Sequence, residues 1–342
     1  MKLTYEQLQS AVLGAVRMEQ QADGVHFFRF TKEQEELYKE NPSAFSRCMA
    51  TAGVRLRFKT TSCTMGLEFN VEKKTSRSYF SVDVVVNGNL LGSLDNVGDT
   101  VLQGDPAQER PLGHFNATFA LGEGEKDVCV HFPWSVCAAL EELTLDDDAT
   151  FIPVKPQKRV LVLGDSITQG YDALRPSGRY AAIMCDRLGA EEINKGIGAE
   201  YFFPPLAATK DDFTPDLITV AYGTNDWGAY TEEVFCENCR SFFESLRASY
   251  PSSPIVAFTP IWRKNHTEKR IFGDFARVGE CIHEQTAHIE NLFVVDGYDF
   301  IPHDEVYFAD LYLHPNDKGF AHYAEGVCRA LAALPLNLHV GE

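Results

Sequence analysis

The sequence predicts two regions of different fold class: an antiparallel β-sandwich, jelly-roll-like, at residues 1–152, and a three-layer α/β domain with a doubly wound parallel sheet at residues 153–342. Before residue 150, short segments alternate apolar and polar residues, and Gly, Asn and Asp separate them, which is typical of antiparallel strands. After Phe151, short apolar runs alternate with helical patterns, as in successive βαβ units. Two prolines at 152–158 indicate a linker between the regions.

These patterns also predict the individual elements. In the first region, alternation predicts strands at 54–59, 65–71, 80–86, 115–121, 127–132 and 141–145. In the second, runs rich in Val, Ile, Leu and Phe predict parallel strands at 159–163, 192–197, 217–222, 255–258 and 292–296. Helical periodicity predicts helices at 179–188, 232–248, 268–289 and 315–334.

Composition and charge argue against several classes of function. The chain of 342 residues has a formal net charge of −18, which disfavours binding to nucleic acid or to an anionic membrane. No apolar run approaches the roughly 20 residues that span a bilayer, and the N-terminal segment is amphipathic rather than a signal peptide. The nine scattered cysteines favour reduced thiols in the cytoplasm. Cys236 and Cys239 lack further ligands at zinc spacing, so we expect no metal.

Polar and small residues follow the first three predicted parallel strands, at the edge where such sheets bind ligands. Ser166 follows the first strand in GDSITQG, either as an exposed nucleophile or, with Asp165, as a helix cap. Gly198 and Ala199 close the run NKGIGA after the second strand, where small residues allow a backbone N–H to approach a ligand or simply form a turn. Asn225 follows the third strand in GTND, as an amide donor or an Asx turn.

A fourth block lies near the C-terminus. Asp310 precedes His314, and Pro315 can open the last helix. An acid on the same short loop can orient an imidazole, which then acts as a general base for a serine; a histidine without a catalytic role is the alternative. Together the four blocks supply a nucleophile, a base with its acid, and oxyanion donors, which is the complete set for acyl transfer.

These blocks resemble the SGNH/GDSL hydrolase superfamily over about residues 159–334, which implies its flavodoxin-like fold. GDSITQG is similar to the family's first block, NKGIGA to its second, GTND to its third, and the 310–314 loop to its last. A β-sandwich before such a domain is similar to the two-domain carbohydrate esterases of family two, which remove acetyl groups from polysaccharides and oligosaccharides.

The resemblance implies a role for each matching residue. Ser166 is the nucleophile and a backbone oxyanion donor, His314 is the general base, Asp310 is its orienting acid, and Asn225 donates through its side chain. Two departures from the family pattern leave alternatives open. Ala199 stands where the family has glycine, so either Ala199 or Gly198 supplies the second backbone donor. Asp310 is four residues before the histidine rather than three, so either the loop bulges or a Ser–His dyad remains.

The predicted function is a cofactor-free, metal-free serine esterase that removes small acyl groups, with O-acetyl groups of oligosaccharides as the leading substrate. Trp227 and Trp262 follow predicted strands, where they either stack on a sugar ring or pack in the core. The alternatives are an acyltransferase, a short-chain esterase for another class of small molecule, and a non-catalytic glycan-binding protein. No ligand spacing supports a metallohydrolase, and the sequence does not predict the oligomeric state.

Overall fold

The computed structural model of the protein describes residues 1–98, 104–336 and 340–341. The helices of the N-terminal region are α1 (Tyr5–Ala11), α2 (Lys32–Glu36) and α3 (Pro42–Cys48). Its strands are β1 (Val12–Leu13), β2 (Arg17–Gln21), β3 (Gly24–Phe28), β4 (Arg55–Thr60), β5 (Thr64–Lys73), β6 (Ser81–Val86), β7 (Asn89–Asp95), β8 (Gly113–Ala120), β9 (Lys126–His131), β10 (Val136–Leu145) and β11 (Ile152–Pro153).

The strands of this region form two antiparallel sheets that share one core. One sheet has the order β1-β4-β9-β6-β7, with β11 beside β4, and the other has the order β2-β3-β10-β5-β8. Both sheets contribute to a single buried cluster, because alternate side chains of each point inward, among them Phe58, Phe69, Val84, Val130 and Leu140. The antiparallel prediction is confirmed; the jelly-roll-like connectivity and the boundary after residue 152 stay predictions.

The second region contains one parallel sheet of five strands. Its strands are β12 (Lys158–Gly164), β13 (Ala190–Asn194), β14 (Leu217–Ala221), β15 (Ile255–Phe258) and β16 (Leu292–Val295), in the order β13-β12-β14-β15-β16. Its helices are α4 (Ser166–Gln169), α5 (Tyr180–Arg187), α6 (Pro204–Ala208), α7 (Asp226–Ala229), α8 (Glu232–Ser249), α9 (Ala276–Thr286) and α10 (Asp317–Ala333), with 3-10 turns at Pro176–Gly178 and Glu305–Tyr307.

Helices cover both faces of this sheet, as the apolar strands require. Val160 and Val162 of β12 face the cluster that contains α5 and α10, whereas Leu161 and Leu163 face the cluster that contains α8 and α9. The three-layer prediction is therefore confirmed. The first strand, β12, lies between β13 and β14, so the chain adds β13 on one side of β12 and the later strands on the other. Where the strand order reverses in this way, a crevice opens at the carboxyl ends of the strands.

Several predicted elements differ in their bounds from the structure. The strand predicted at 192–197 spans Ala190–Asn194, and the strand predicted at 141–145 begins at Val136. The helix predicted at 268–289 begins only at Ala276, because Gly273 adopts a φ of +117° and closes a turn with Arg270. The predicted linker at 152–158 is partly a strand, since Ile152 and Pro153 pair with β4. Within the described residues, no helix combines the length and apolar character needed to cross a membrane.

The N-terminal region packs directly on the parallel-sheet region. The side chain of Arg29 is fully buried at this contact. Its guanidinium donates to the carbonyl oxygens of Ala50 (2.7 Å), Arg47 (2.9 Å), Asn194 (2.9 Å) and Gly196 (3.0 Å). Because a buried carbonyl without a donor is costly, Arg29 fixes the loop that follows β13.

A second buried polar group lies at the start of α7. Asp226 accepts a hydrogen bond from the Phe202 backbone N–H at Oδ1 (3.1 Å), while its Oδ2 has no partner in the described part of the chain. Burial raises the pKa of Asp226 to about 7. Between about pH 4 and pH 7 the folded protein holds a proton that the unfolded chain has lost, so stability falls as pH rises through this window.

We expect Arg29→Met to lower the free energy of unfolding by at least about 3 kcal/mol, because the buried carbonyls of Ala50, Asn194 and Gly196 lose this donor. Urea denaturation measures this loss. Lys32→Met, at a side chain that is 77% exposed, is the matched control and should change stability by less than about 0.5 kcal/mol. Equal effects of the two substitutions would contradict the structural role of Arg29.

We expect Asp226→Asn to stabilise the protein at pH 8, on the order of 2 kcal/mol, because the variant has no buried charge to accommodate. Near pH 4 the native carboxyl is protonated, and the difference should disappear. Urea titrations at both pH values check this expectation. The same substitution at exposed Asp212 should show no such pH dependence, and a stabilisation of Asp226→Asn that is identical at both values would overturn the assignment.

Candidate active site

The turn from β12 into α4 separates the capping residue from the candidate nucleophile. Asp165 caps α4, since its Oδ1 accepts a hydrogen bond from the Ile167 backbone N–H (2.9 Å). Burial raises the pKa of Asp165 to about 6. The hydroxyl of Ser166 takes no part in this cap, and the residue is 4% exposed. Of the two sequence interpretations, capping therefore belongs to Asp165.

Ser166, His314 and Asp310 form a continuous chain of hydrogen bonds. His314 Nε2 lies 2.9 Å from Ser166 Oγ, and His314 Nδ1 lies 2.8 Å from Asp310 Oδ2. Because a carboxylate only accepts, the Nδ1 proton is assigned to the Asp310 side, which leaves Nε2 free to accept the serine proton. This is the arrangement of a serine nucleophile with its general base.

The loop before His314 contains the bulge that the sequence left open. Leu311 adopts the left-handed conformation, with a φ of +57°, and this turn accommodates the additional residue. Asp310 Oδ1 accepts from the backbone N–H groups of Tyr312 (2.9 Å), Leu313 (2.8 Å) and His314 (3.1 Å). Burial acts to raise the pKa of Asp310. The hydrogen bond from His314, the charge of His314 and the backbone N–H groups act in the opposite direction and lower this pKa to about 2.

Asp172 is a second carboxylate beside the imidazole, and the sequence analysis missed it. Its Oδ2 lies 3.5 Å from His314 Nδ1. Arg77, from the N-terminal region, donates Nε to Asp172 Oδ1 (2.7 Å) and Nη2 to Oδ2 (2.9 Å), and the Tyr79 hydroxyl lies 3.3 Å from Oδ1. The partners are 95 positions apart in the chain, and no motif marks either of them.

Among the residues that the structure describes, two groups of side chains have ligand atoms close enough to hold a metal. One consists of Asp172, Asp310 and His314, with ligand atoms within 4.8 Å of one another. N–H donors already bind both oxygens of Asp172 and one of Asp310, so this arrangement suits an imidazole rather than a cation. The other consists of Glu232, Cys236 and Cys281 on α8 and α9, where Arg277 donates to Glu232 (2.9 Å).

The loop after β13 presents one free backbone donor. Gly198 N–H donates to Gln169 Oε1 (2.8 Å), whereas Ala199 is exposed and its N–H has no partner within the described residues. Arg47 Nη1 donates to the Gly198 carbonyl (2.7 Å). Carbonyl and N–H point in opposite directions across a planar trans peptide, so Arg47 orients and polarises the Ala199 N–H. Of the two candidates, Ala199 is the one whose backbone N–H is without a partner in the described structure.

Asn225 lies beside this loop and is fixed to it. Its Nδ2 donates to the Glu200 carbonyl (3.0 Å), and an amide nitrogen carries a second N–H that this bond does not use. The Ser166 N–H, at the N-terminus of α4, is the third predicted donor. Three strand ends, those of β12, β13 and β14, thus each contribute one predicted donor to the site.

The two predicted tryptophans lie in the core, which is the alternative that the sequence left open. Trp227 is 1% exposed and donates Nε1 to the Gly273 carbonyl (2.9 Å). Trp262 is 8% exposed and stacks on His303, with ring centroids 5.6 Å apart. Neither ring has a free face for a sugar. Two partly exposed rings that the sequence analysis missed, Tyr201 and Tyr230, lie 5.2 Å apart next to the Ala199 and Asn225 loops.

Comparisons with known structures extend over both regions. The chain is similar to a salicylyl-acyltransferase from a tetracycline biosynthetic pathway (22% identity, TM-score 0.79, 95% of this chain and 96% of that chain). It is similar to a proposed GDSL-like lipase from Bacteroides ovatus (17% identity, TM-score 0.78, 100% of this chain and 99% of that chain). It also resembles a family two carbohydrate esterase from Cellvibrio japonicus (17% identity, TM-score 0.63, 95% of this chain and 95% of that chain). At these identities the likeness shows the fold.

The sequence comparisons find the predicted resemblance in the second region. No curated protein matches the chain. Residues 162–322, which contain Ser166, Ala199, Asn225, Asp310 and His314, match the model of the GDSL-like lipase/acylhydrolase family. The predicted resemblance is confirmed over this segment of 161 of the 342 residues, and the match supports a carboxylic ester hydrolase.

Proposed function

We propose that the protein is a serine esterase that removes small acyl groups, with O-acetyl groups of oligosaccharides as its substrate. The observation that carries this proposal is the unbroken chain from Ser166 Oγ through His314 to Asp310, with contacts of 2.9 and 2.8 Å. Such a chain activates a serine hydroxyl, which is otherwise a weak nucleophile.

In the proposed reaction, His314 Nε2 takes the proton of Ser166 as Oγ bonds to the ester carbonyl carbon. The negative charge that develops on the carbonyl oxygen is stabilised by N–H groups of Ser166, Ala199 and Asn225. The carbon–oxygen bond to the alcohol then breaks, and the alcohol leaves with the proton from His314. Water, deprotonated by His314, releases the acid from the acyl-enzyme and restores the serine hydroxyl.

The surroundings of Ser166 support a small acyl group and a sugar leaving group. The serine is almost completely buried, which restricts the space for a long acyl chain. Tyr201 and Tyr230 are partly exposed rings at the edge formed by the oxyanion loops, and aromatic faces are suited to packing against sugar rings. The likeness to the Cellvibrio japonicus carbohydrate esterase supports the same substrate class.

Acyl transfer to another alcohol is the second candidate function. The observation that favours it is the likeness to the salicylyl-acyltransferase over 95% of this chain, with a TM-score of 0.79. Both functions pass through the same acyl-enzyme and differ in whether water or an alcohol accepts the acyl group. Product analysis with a competing alcohol distinguishes them, because a transferase forms the new ester in preference to free acetate.

We expect Ser166→Ala to lower the turnover of 4-nitrophenyl acetate by at least about 10³-fold, because the nucleophile is lost. The wild-type protein should prefer acetate to butyrate and octanoate esters. Ser252→Ala, at an exposed serine, is the matched control and should retain full activity. If Ser166→Ala hydrolyses the ester at the wild-type rate and has an unchanged melting temperature, the proposed mechanism is wrong.

We expect Asp310→Asn to lower kcat by about 10- to 100-fold, because its amide nitrogen would face His314 Nδ1 and favour the wrong tautomer. Asp172 should limit this loss, because its Oδ2 lies 3.5 Å from His314 Nδ1. The double variant Asp172→Asn, Asp310→Asn should therefore lose at least about 10³-fold in kcat. Asp127→Asn, which alters the comparable ion pair with Arg57, serves as the control. A double variant no slower than Asp310→Asn alone would leave Asp172 without a role.

A further inference from the structure

Arg263 is a buried cation that contacts a loop of the candidate active site. It is 9% exposed and follows β15. Its Nη1 donates to the carbonyl (3.0 Å) and the hydroxyl (3.1 Å) of Thr224, and its Nε donates to Asn265 Oδ1 (2.7 Å). The carbonyl of Thr224 belongs to the peptide bond that leads into Asn225, so the guanidinium lies next to a proposed oxyanion donor.

The same guanidinium contacts the loop that carries the proposed base. Its carbon lies 5.5 Å from the centre of the Tyr312 ring and 5.2 Å from the centre of the Trp227 ring. The neighbouring Lys264 N–H donates to the Tyr312 carbonyl (3.0 Å), and Tyr312 is two residues before His314. Arg263 therefore lies between the loop of Asn225 and the loop of His314.

The charge of Arg263 is not balanced by an ion pair. Within the described ranges, no carboxylate lies at salt-bridge distance from it, whereas the buried Arg55 pairs with Asp186 and the buried Arg179 pairs with Glu192. The buried Arg29 also has no ion pair there, but its Nε, Nη1 and Nη2 all donate to carbonyl oxygens. Its hydrogen bonds to Thr224 and Asn265 use Nε and Nη1, and the Tyr312 side chain is a further partner. A guanidinium has five N–H donors, so at least one remains for a ligand. A buried charge without a counter-charge is costly, and an anionic ligand would remove that cost.

The segment around Arg263 is basic in an otherwise acidic protein. Residues 263–270 contain four basic side chains and one acidic side chain, although the chain as a whole carries −18. Lys264 pairs with Glu305 outside the segment, and Arg270 pairs with Glu268. Arg263 is the member that is both buried and without an ion pair in the described structure, so it is the candidate for binding an anion in this segment.

We propose that Arg263 binds a carboxylate of the substrate, so that the enzyme acts on acetyl esters whose alcohol carries a carboxylate, such as acetylated sugar acids. This inference rests on the proposed esterase function and specifies its substrate class. A planar guanidinium binds a carboxylate through parallel N–H donors. An anion held there places the ester next to Asn225 and His314, and the reaction at Ser166 is unchanged.

The test compares 3-acetoxybenzoate with its uncharged analogue 3-acetoxybenzamide. The wild-type protein should show a kcat/KM for the benzoate at least about tenfold higher. Arg263→Gln should lose about 10- to 100-fold on the benzoate and keep its rate on the benzamide, because a charge-assisted hydrogen bond is lost. Arg263→Lys should retain part of the preference.

Arg270→Gln is the matched control, because it removes the same charge from an exposed position of the same segment. It should leave the preference for the benzoate in place. Equal losses on both esters in Arg263→Gln would show that Arg263 only supports Thr224, and this result would overturn the proposal. The absence of any preference in the wild-type protein would overturn it as well.

A binding measurement separates this inference from the esterase proposal. Calorimetry on Ser166→Ala should show that 3-hydroxybenzoate binds and 3-hydroxybenzamide does not, and the added substitution Arg263→Gln should abolish binding. If the benzoate binds in this way but no ester is hydrolysed, the anion site is supported and the proposed function fails. If esters are hydrolysed but neither compound binds, the anion site is refuted and the proposed function is retained.

Discussion

Guanidinium groups of the N-terminal region hold the loops of the candidate active site in place. Arg29 donates to the carbonyls of Asn194 and Gly196, and Arg47 donates to the carbonyl of Gly198. Arg77 binds Asp172 beside His314. Arg29 is buried and Arg47 and Arg77 are partly buried, and a desolvated guanidinium is stabilised by the acceptors that its donors meet. The positions of the loop after β13 and of the His314 imidazole depend on these contacts.

The N-terminal region therefore contributes to the site itself. Trp134 donates to the Ala173 carbonyl (2.8 Å), next to Asp172. The Gly104 N–H donates to the Ala309 carbonyl (2.7 Å), next to Asp310. Since both carboxylates beside His314 are adjacent to such contacts, loss of the interface between the regions is expected to disturb the base as well as the fold.

Backbone strain is concentrated at the same place. Five non-glycine residues of the described chain have a positive φ, and three of them, Asp172, Ala199 and Leu311, belong to the site. Each such residue costs on the order of 1 kcal/mol and persists where its surroundings enforce it. Here the surroundings include the hydrogen bonds of Arg77 to the Asp172 carboxylate and of Arg47 to the Gly198 carbonyl, next to the Ala199 N–H.

Local patterns determined the two fold classes and the blocks that contain Ser166, Asn225 and His314, because periodicity reports burial and parallel strands end at one edge. Local patterns did not distinguish Ala199 from Gly198, because the distinction depends on the hydrogen bond of the Gly198 N–H to Gln169. They also did not predict the turn at Leu311, which depends on the backbone N–H groups that donate to Asp310.

Only the tertiary structure revealed the contacts between distant segments. Arg77 meets Asp172 across 95 positions, Arg47 meets Gly198 across 151, and Arg263 meets Thr224 across 39. No local pattern encodes such pairs, because they form only when separate elements pack together. The burial of Trp227 and Trp262 also depends on packing between distant segments. An aromatic residue after a strand can line a pocket or fill a core, and the elements that pack against it determine which of the two it does.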